Sequence, residues 1–314
     1  MEIRRLGNSN LHVSLLSLGS WQTFEFIEEQ DGLSVMARAI DGGINFLDDA
    51  RYDDKTGKAP IPSGYSEVVF GQLLKKGGWS RDGLVIANKL WLEFYPNEDL
   101  AAELDGSLSR LQMDYLDIVY CAAPPASLSL VEMLKQIDRL IASGKLRAWG
   151  VLNWPAERIE EACRLAAAER LCPPCAAQLP YSILQRSPVE DAATSRVCEA
   201  HGIGVVASYT LHGGVLSGKY TGAASNDGNR MDQQQLDDLR RKGMLDKATK
   251  VTAVAQRLGC TPAQLAVAYC LKNQRVASVL FGARTVEQIE ENLGTMKILR
   301  SVDDRVLAAL REIA

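Results

Sequence analysis

Leu84-Val85-Ile86-Ala87-Asn88-Lys89 and Leu116-Asp117-Ile118-Val119-Tyr120-Cys121, with the chain that joins them, decide the fold. Each run has strand length and is almost continuously apolar. Neither shows the in-out alternation of a strand with one wet face. Such runs belong to parallel strands covered on both sides. Between them, residues 97–111 place apolar side chains at helical spacing. That supplies the long crossover that parallel neighbours require.

The same unit recurs on either side. Strand-length runs lie at residues 15–19, 44–48, 84–89, 116–121, 148–153, 176–179, 204–208 and 278–282. Helical periodicity fills 32–41, 66–76, 97–111, 130–143, 156–169, 189–201, a longer region 233–273, and 286–293. Ser66 before Glu67 reads as a helix start. Pro155 and Pro188 fall near first helical positions, and Gly144 and Gly202 just past helix ends. Eight units in 314 residues is about 39 residues each, the scale of a (β/α)8 barrel forming one domain over 1–314. A doubly wound sheet is the alternative. It normally carries a Gly-x-Gly-x-x-Gly turn after an early strand, and this chain has none.

Composition narrows the function. Thirty-five Lys and Arg against 39 Asp and Glu leave a net charge of −4. That provides no global field for nucleic acid or an anionic membrane. Three histidines (His12, His201, His212) leave little room for a His-rich metal site, so no metal is expected. Seven cysteines, most inside apolar segments, suit reduced thiols in a cytoplasm. Cys172-Pro173-Pro174-Cys175 lacks a second ligand pair and reads as loop thiols. The N-terminus shows no apolar leader, and no run approaches a membrane span.

In a barrel, chemistry belongs at the C-terminal ends of the strands. There the chain offers Asp48-Asp49-Ala50-Arg51-Tyr52, Lys89-Leu90-Trp91, Cys121-Ala122-Ala123, Asn153-Trp154, Gln178, Tyr209 and Arg284. Singly, each has a bland reading as a cap or a surface group. Together, an aspartate, a tyrosine and a lysine suggest a tuned proton donor. A neighbouring ammonium lowers a phenol's pKa, and a carboxylate orients the ammonium. Beside a hydride donor, that trio reduces carbonyls. Trp21, Phe24, Trp91, Phe94, Tyr95 and Trp154 either line an apolar substrate pocket or pack the loops.

Arg5-Leu6-Gly7 through Gly19-Ser20-Trp21, Gly43-Ile44-Asn45-Phe46-Leu47-Asp48, Tyr65-Ser66-Glu67, Ser107-Leu108-Ser109-Arg110-Leu111, Gly213–Tyr220 and Gly282–Asn292 resemble, in order, motifs of the aldo-keto reductase family. The resemblance spans essentially the whole chain. It implies a (β/α)8 barrel whose base is closed by an N-terminal β-hairpin. It also implies NADP(H) bound without a Rossmann domain, and hydride transfer between nicotinamide and an aldehyde, ketone or alcohol. By matching position, Asp48, Tyr52 and Lys89 would be catalytic. Asn153 and Gln178 would hold the nicotinamide amide and Tyr209 its ring. Thr210, Leu211, His212, Gly213 and Lys219 would meet the pyrophosphate. Gly282, Arg284, Gln288, Glu291 and Asn292 would meet the adenosine 2′-phosphate end. Ser20, Trp21 and Asp48 complete the cofactor contacts, and Trp21, Trp91, Ala122 and Trp154 the substrate contacts.

The chain departs from the family pattern at four places. Ala122, 33 positions after Lys89, stands where the family usually keeps a histidine that orients the carbonyl. Channel-associated and steroid double-bond-reducing members also depart there. Tyr52 follows Asp48 by four positions instead of five, which leaves Tyr65 as a competitor. Leu152 replaces a common serine, and the loop after the seventh strand is one residue short. An NADP(H)-binding sensor or regulatory subunit is the alternative function.

Overall fold

The computed structural model describes residues 1–220 and 233–313. A hairpin, β1 (Ile3–Arg5) and β2 (His12–Ser14), precedes the barrel strands. These are β3 (Leu16–Gly19), β4 (Phe46–Asp48), β5 (Val85–Leu90), β6 (Leu116–Cys121), β7 (Leu146–Leu152), β8 (Ala176–Pro180), β9 (Gly204–Ser208) and β10 (Val276–Phe281). Each pairs in parallel with its neighbours, and β10 closes on β3. The (β/α)8 barrel and its N-terminal hairpin are as the sequence implies. Among the described residues the helices are α1 (Glu29–Asp41), α2 (Tyr65–Gly77), α3 (Leu100–Leu111), α4 (Leu130–Ala142), α5 (Ala156–Glu169), α6 (Ser187–Glu190), α7 (Ala192–His201), α8 (Gln233–Arg241), α9 (Met244–Arg257), α10 (Pro262–Lys272), α11 (Val286–Leu293), α12 (Thr295–Ile298) and α13 (Asp304–Ile313). None is long and apolar enough to cross a membrane.

Two apolar layers follow from the strand period of two. Phe46, Val85, Ala87, Ile118, Tyr120, Ala176 and Val206 fill the barrel interior, with Leu6 and Val13 of the hairpin plugging its base. The alternate positions pack outward against the helices. Gly7 makes the plug possible. Its φ is +55°, and a Cβ there would sit 1.9 Å from the Cys175 carbonyl oxygen.

Several expected boundaries shift. Ser66 does not start its helix. It lies inside α2, with its hydroxyl donating to the Ala50 carbonyl at 2.7 Å, while Gly64 precedes the first turn. The 189–201 stretch divides at Asp191, whose carboxylate accepts from Ala193 N and caps α7. The 233–273 stretch is three helices, the last opened by a Thr261–Gln264 capping box. No strand-helix unit called for α13, which packs against α9 with Leu307 and Leu310 buried.

Candidate active site

Period two puts Asp48, Lys89, Ala122 and Gln178 one layer above Phe46, Ala87, Tyr120 and Ala176. They therefore share the inner C-terminal mouth of the barrel. Lys89 donates to Asp48 Oδ1 at 2.5 Å, to the Asp49 carbonyl at 3.2 Å and to Tyr52 Oη at 3.1 Å. That engages all three ammonium protons. Asp48 and Lys89 are buried at 2% and 4% exposure. Because Tyr52 Oη accepts from Lys89, the hydroxyl's own proton points elsewhere.

The loop after β4 holds Tyr52 against Lys89 and carries Tyr65 away to the start of α2. Residues 53–63 fold back on themselves through an Asp53–Ser63 bridge, and Gly64 N donates to the Tyr52 carbonyl at 2.8 Å. The extra residues thus form a closed excursion. Tyr65 emerges beyond it as the first residue of α2, while Tyr52 stays against Lys89.

The electrostatics correct one expectation. Burial pushes the Tyr52 phenol up from its ordinary range. The Lys89 ammonium pulls it down, and Asp48 adds to the rise. The lysine therefore limits the rise without producing a depressed phenol. Burial pulls the Lys89 ammonium down, but Asp48 and Tyr52 outweigh it and hold the ammonium above its usual value. Tyr52 keeps its proton and Lys89 its charge through neutral pH.

Several of the expected site residues make contacts within the protein. Gln178 donates from Nε2 to Asp48 Oδ2 at 2.9 Å, so this side chain orients the carboxylate. Ser20 is buried, and its hydroxyl donates to Asp49 Oδ1. Trp154, expected at the substrate, is 3% exposed and packs edge-on against Trp149, with centroids 6.4 Å apart. Phe24 is likewise core, against Phe70. Trp21 and Phe94 are exposed, and Trp91 stands edge-on to Tyr52 at 6.3 Å. Ala122 is half-buried, its amide donating to the Leu90 carbonyl at 2.8 Å.

The expected cofactor residues run along the mouth. Tyr209 is 41% exposed at φ +55°, with its ring 5.0 Å from that of His212. Burial pulls the His212 imidazole down, so it is neutral. Thr210 is buried, donating to the Leu280 carbonyl at 3.4 Å, and Leu211 packs on the core. Gly213, Gly214 and Gly218 all take positive φ. Lys219 lies over the Tyr220 ring at 4.8 Å. Arg284 donates to the Gln22 carbonyl at 2.7 Å and covers Phe26, while its amide donates to Gln288 Oε1. Gly282 is exposed, and Glu291 gives its carbonyl to Gln264. Asn292 donates to the Gln288 carbonyl, and its Oδ1 is buried without a partner. Gln22, Leu92, Asn153, Tyr209 and His212 are non-glycine residues at positive φ on this face. Such strain collects where a ligand is held.

Two groups escaped the sequence reading. Asp49 is fully buried on the outer side of β4, and burial, reinforced by Glu67, pushes its carboxyl well above the carboxylate range. Its signal was the doubled aspartate. Glu103 lies on the apolar face of α3, accepting from Trp91 N at 2.8 Å, Leu92 N at 3.1 Å and Arg51 at 3.1 Å. Its signal was an acid on a buried face shared with Leu100, Leu104, Ser107, Leu108 and Leu111. It ties the loop after β5 to the loop that carries Tyr52. Among the described residues, no group of His, Cys, Asp and Glu gathers as metal ligands.

The sequence profile described as "Aldo/keto reductase family" matches residues 15–314. A protein of Arabidopsis thaliana named "Probable voltage-gated potassium channel subunit beta" is 31% identical over 325 aligned positions, which take in all of this chain and 96% of that protein.

Proposed function

We propose that this chain, which belongs to the aldo/keto reductase family, is an NADP(H)-dependent carbonyl reductase of the cytoplasm. Tyr52 would be its proton donor, Lys89 and Asp48 its supporting pair. The Asp48–Lys89–Tyr52 chain of hydrogen bonds at the barrel mouth carries the reading.

The residues present fit a dinucleotide. Tyr209 offers an exposed aromatic face, and Asn153 and Gln178 offer amides in the same mouth. The glycines at 213, 214 and 218 let backbone approach a pyrophosphate, and Lys219 and Arg284 bring cations. When bound, NADP(H) supplies the hydride. The protein's own work is at the carbonyl oxygen. Lys89 holds Tyr52 Oη by donating to it, so the phenol proton is directed to the substrate. As the proton leaves, the Lys89 ammonium stabilises the phenolate, and Asp48, fixed by Gln178, keeps the ammonium in place. A general acid so placed contributes about 10²- to 10⁴-fold. A phenol that stays protonated at neutral pH favours reduction over alcohol oxidation. Ala122 supplies no second polar contact to the carbonyl, so substrates that polarise their own carbonyl or imine are favoured. All seven cysteines are free thiols, which supports a reducing compartment.

A regulatory or sensing subunit is the second reading. Ala122 favours it, as does the name of the plant relative. NADPH oxidation is followed with aldehydes, ketones, imines and enones. Turnover on any class supports the reductase. Tight NADPH binding with no turnover on any of them refutes it and supports the sensor.

A further inference from the structure

We propose a second small-molecule site, separate from the proposed catalytic residues, that binds a phosphate group. It is the cavity of about 430 Å³ between α6, α10 and α13, lined by Tyr181, Glu190, Tyr269, Lys272, Arg275 and Arg311.

Its charge is one-sided. Three cations face one carboxylate, and that carboxylate is already engaged. Glu190 Oε1 accepts from Tyr181 and Tyr269 hydroxyls, both at 2.7 Å, and Arg186 approaches its Oε2 at 3.8 Å. Among the described residues no carboxylate lies within 4.0 Å of a cationic nitrogen of Lys272, Arg275 or Arg311; Arg311 hydrogen-bonds the Tyr269 hydroxyl and feels the Glu190 charge, while Lys272 and Arg275 have no such carboxylate. Arg275 Nε is buried with no hydrogen-bond partner. A buried guanidinium donor left unpaired is costly and calls for an acceptor. The loop carrying Arg275 is preset, because Asn273 Oδ1 accepts from Arg275 N at 3.1 Å and the Asn273 side chain also hydrogen-bonds the Tyr181 hydroxyl.

An oxyanion with two charges suits these donors, since guanidinium and ammonium groups both recognise phosphate. The volume lies in the range of small-ligand sites, so a phosphorylated metabolite fits as well as the bare ion. Tyr181 follows β8 directly and donates its amide to the Ser208 carbonyl at the end of β9. The cavity is thereby linked to the two strands that carry Gln178 and lead to Tyr209.

Calorimetric titrations at constant ionic strength would use inorganic phosphate, pyrophosphate and a hexose 6-phosphate. An Arg284→Ala chain removes a cation of the proposed cofactor site and is expected to retain saturable one-to-one binding. Lys272→Ala with Arg275→Ala is expected to weaken it at least about tenfold, the worth of one charge-assisted hydrogen bond. A Lys272→Gln, Arg275→Gln chain keeps polar bulk and should show the same weakening with an unchanged circular dichroism spectrum. Tighter binding of the ester than of phosphate marks an organic phosphate as the ligand; equal binding marks the free ion. Binding lost in Arg284→Ala but kept in the Lys272/Arg275 chains overturns the proposal. So does the absence of saturable binding by all three probes at millimolar concentration.

Discussion

Replacing Lys89 with methionine tests whether the site's ion pair is truly desolvated. The substitution keeps an unbranched chain of similar length and removes only the charge. Asp48 is then left at 2% exposure with a single donor, the Gln178 amide at 2.9 Å. Removing one partner of a buried pair costs about 3–5 kcal/mol, because the remaining charge has neither water nor a counter-ion. Unfolding entropy of about 2.1 cal/mol/K per residue gives roughly 0.66 kcal/mol/K for this chain. The melting midpoint is therefore expected to fall by about 5–8 °C. Adding Asp48→Leu to Lys89→Met removes the orphaned charge and should recover most of the loss. The assay is urea unfolding at pH 7 followed by tryptophan fluorescence, beside calorimetric melting. A Lys89→Met chain within about 1 kcal/mol of wild type, or a double variant no more stable than Lys89→Met alone, refutes the reasoning.

Tyr52→Phe should lower carbonyl reduction by about 10²- to 10⁴-fold, while Tyr65→Phe leaves it nearly unchanged; steady-state NADPH oxidation separates the two tyrosines. The raised Tyr52 phenol should keep reduction flat through neutral pH, with a fall only in the alkaline range, whereas alcohol oxidation climbs with pH; paired pH-rate profiles check the sign. Asp49 is raised in the folded state, so its contribution is present below the ordinary aspartate range and lost as pH rises. Asp49→Asn should then be no less stable than wild type at pH 8 and should flatten the pH dependence of unfolding. Arg284→Ala should weaken NADPH binding by about 10- to 100-fold and leave NADH binding almost untouched, as read by quenching of protein fluorescence.

The sequence made the barrel legible because parallel strands wrapped on both sides leave continuous apolar runs, and those runs are local. The inner site layer followed from the same runs by counting in twos. Phe46 leads to Asp48, Ala87 to Lys89, Tyr120 to Ala122 and Ala176 to Gln178; the structure joins Asp48, Lys89 and Gln178 by hydrogen bonds at the mouth, with Ala122 just past the end of β6. The count fails where the backbone leaves extended geometry. In β7, Ala148, Gly150 and Leu152 point inward, so continued alternation would turn Trp154 into the mouth as well. Asn153 takes φ +57° instead. That single left-handed residue reverses the alternation and lays Trp154 on Trp149 in the outer layer. Tyr52 against Tyr65 is a similar case, since it depends on how residues 53–63 close on themselves. The remaining surprises are pairings between distant segments. Gln178 meets Asp48 across 130 positions, and Arg284 meets Gln22 across 262. No local pattern announces either, yet both decide chemistry. The first fixes the carboxylate that holds Lys89. If Arg284 holds the cofactor phosphate as proposed, the second means that it would first leave a carbonyl and an aromatic face, so its affinity for the cofactor would carry the cost of that release.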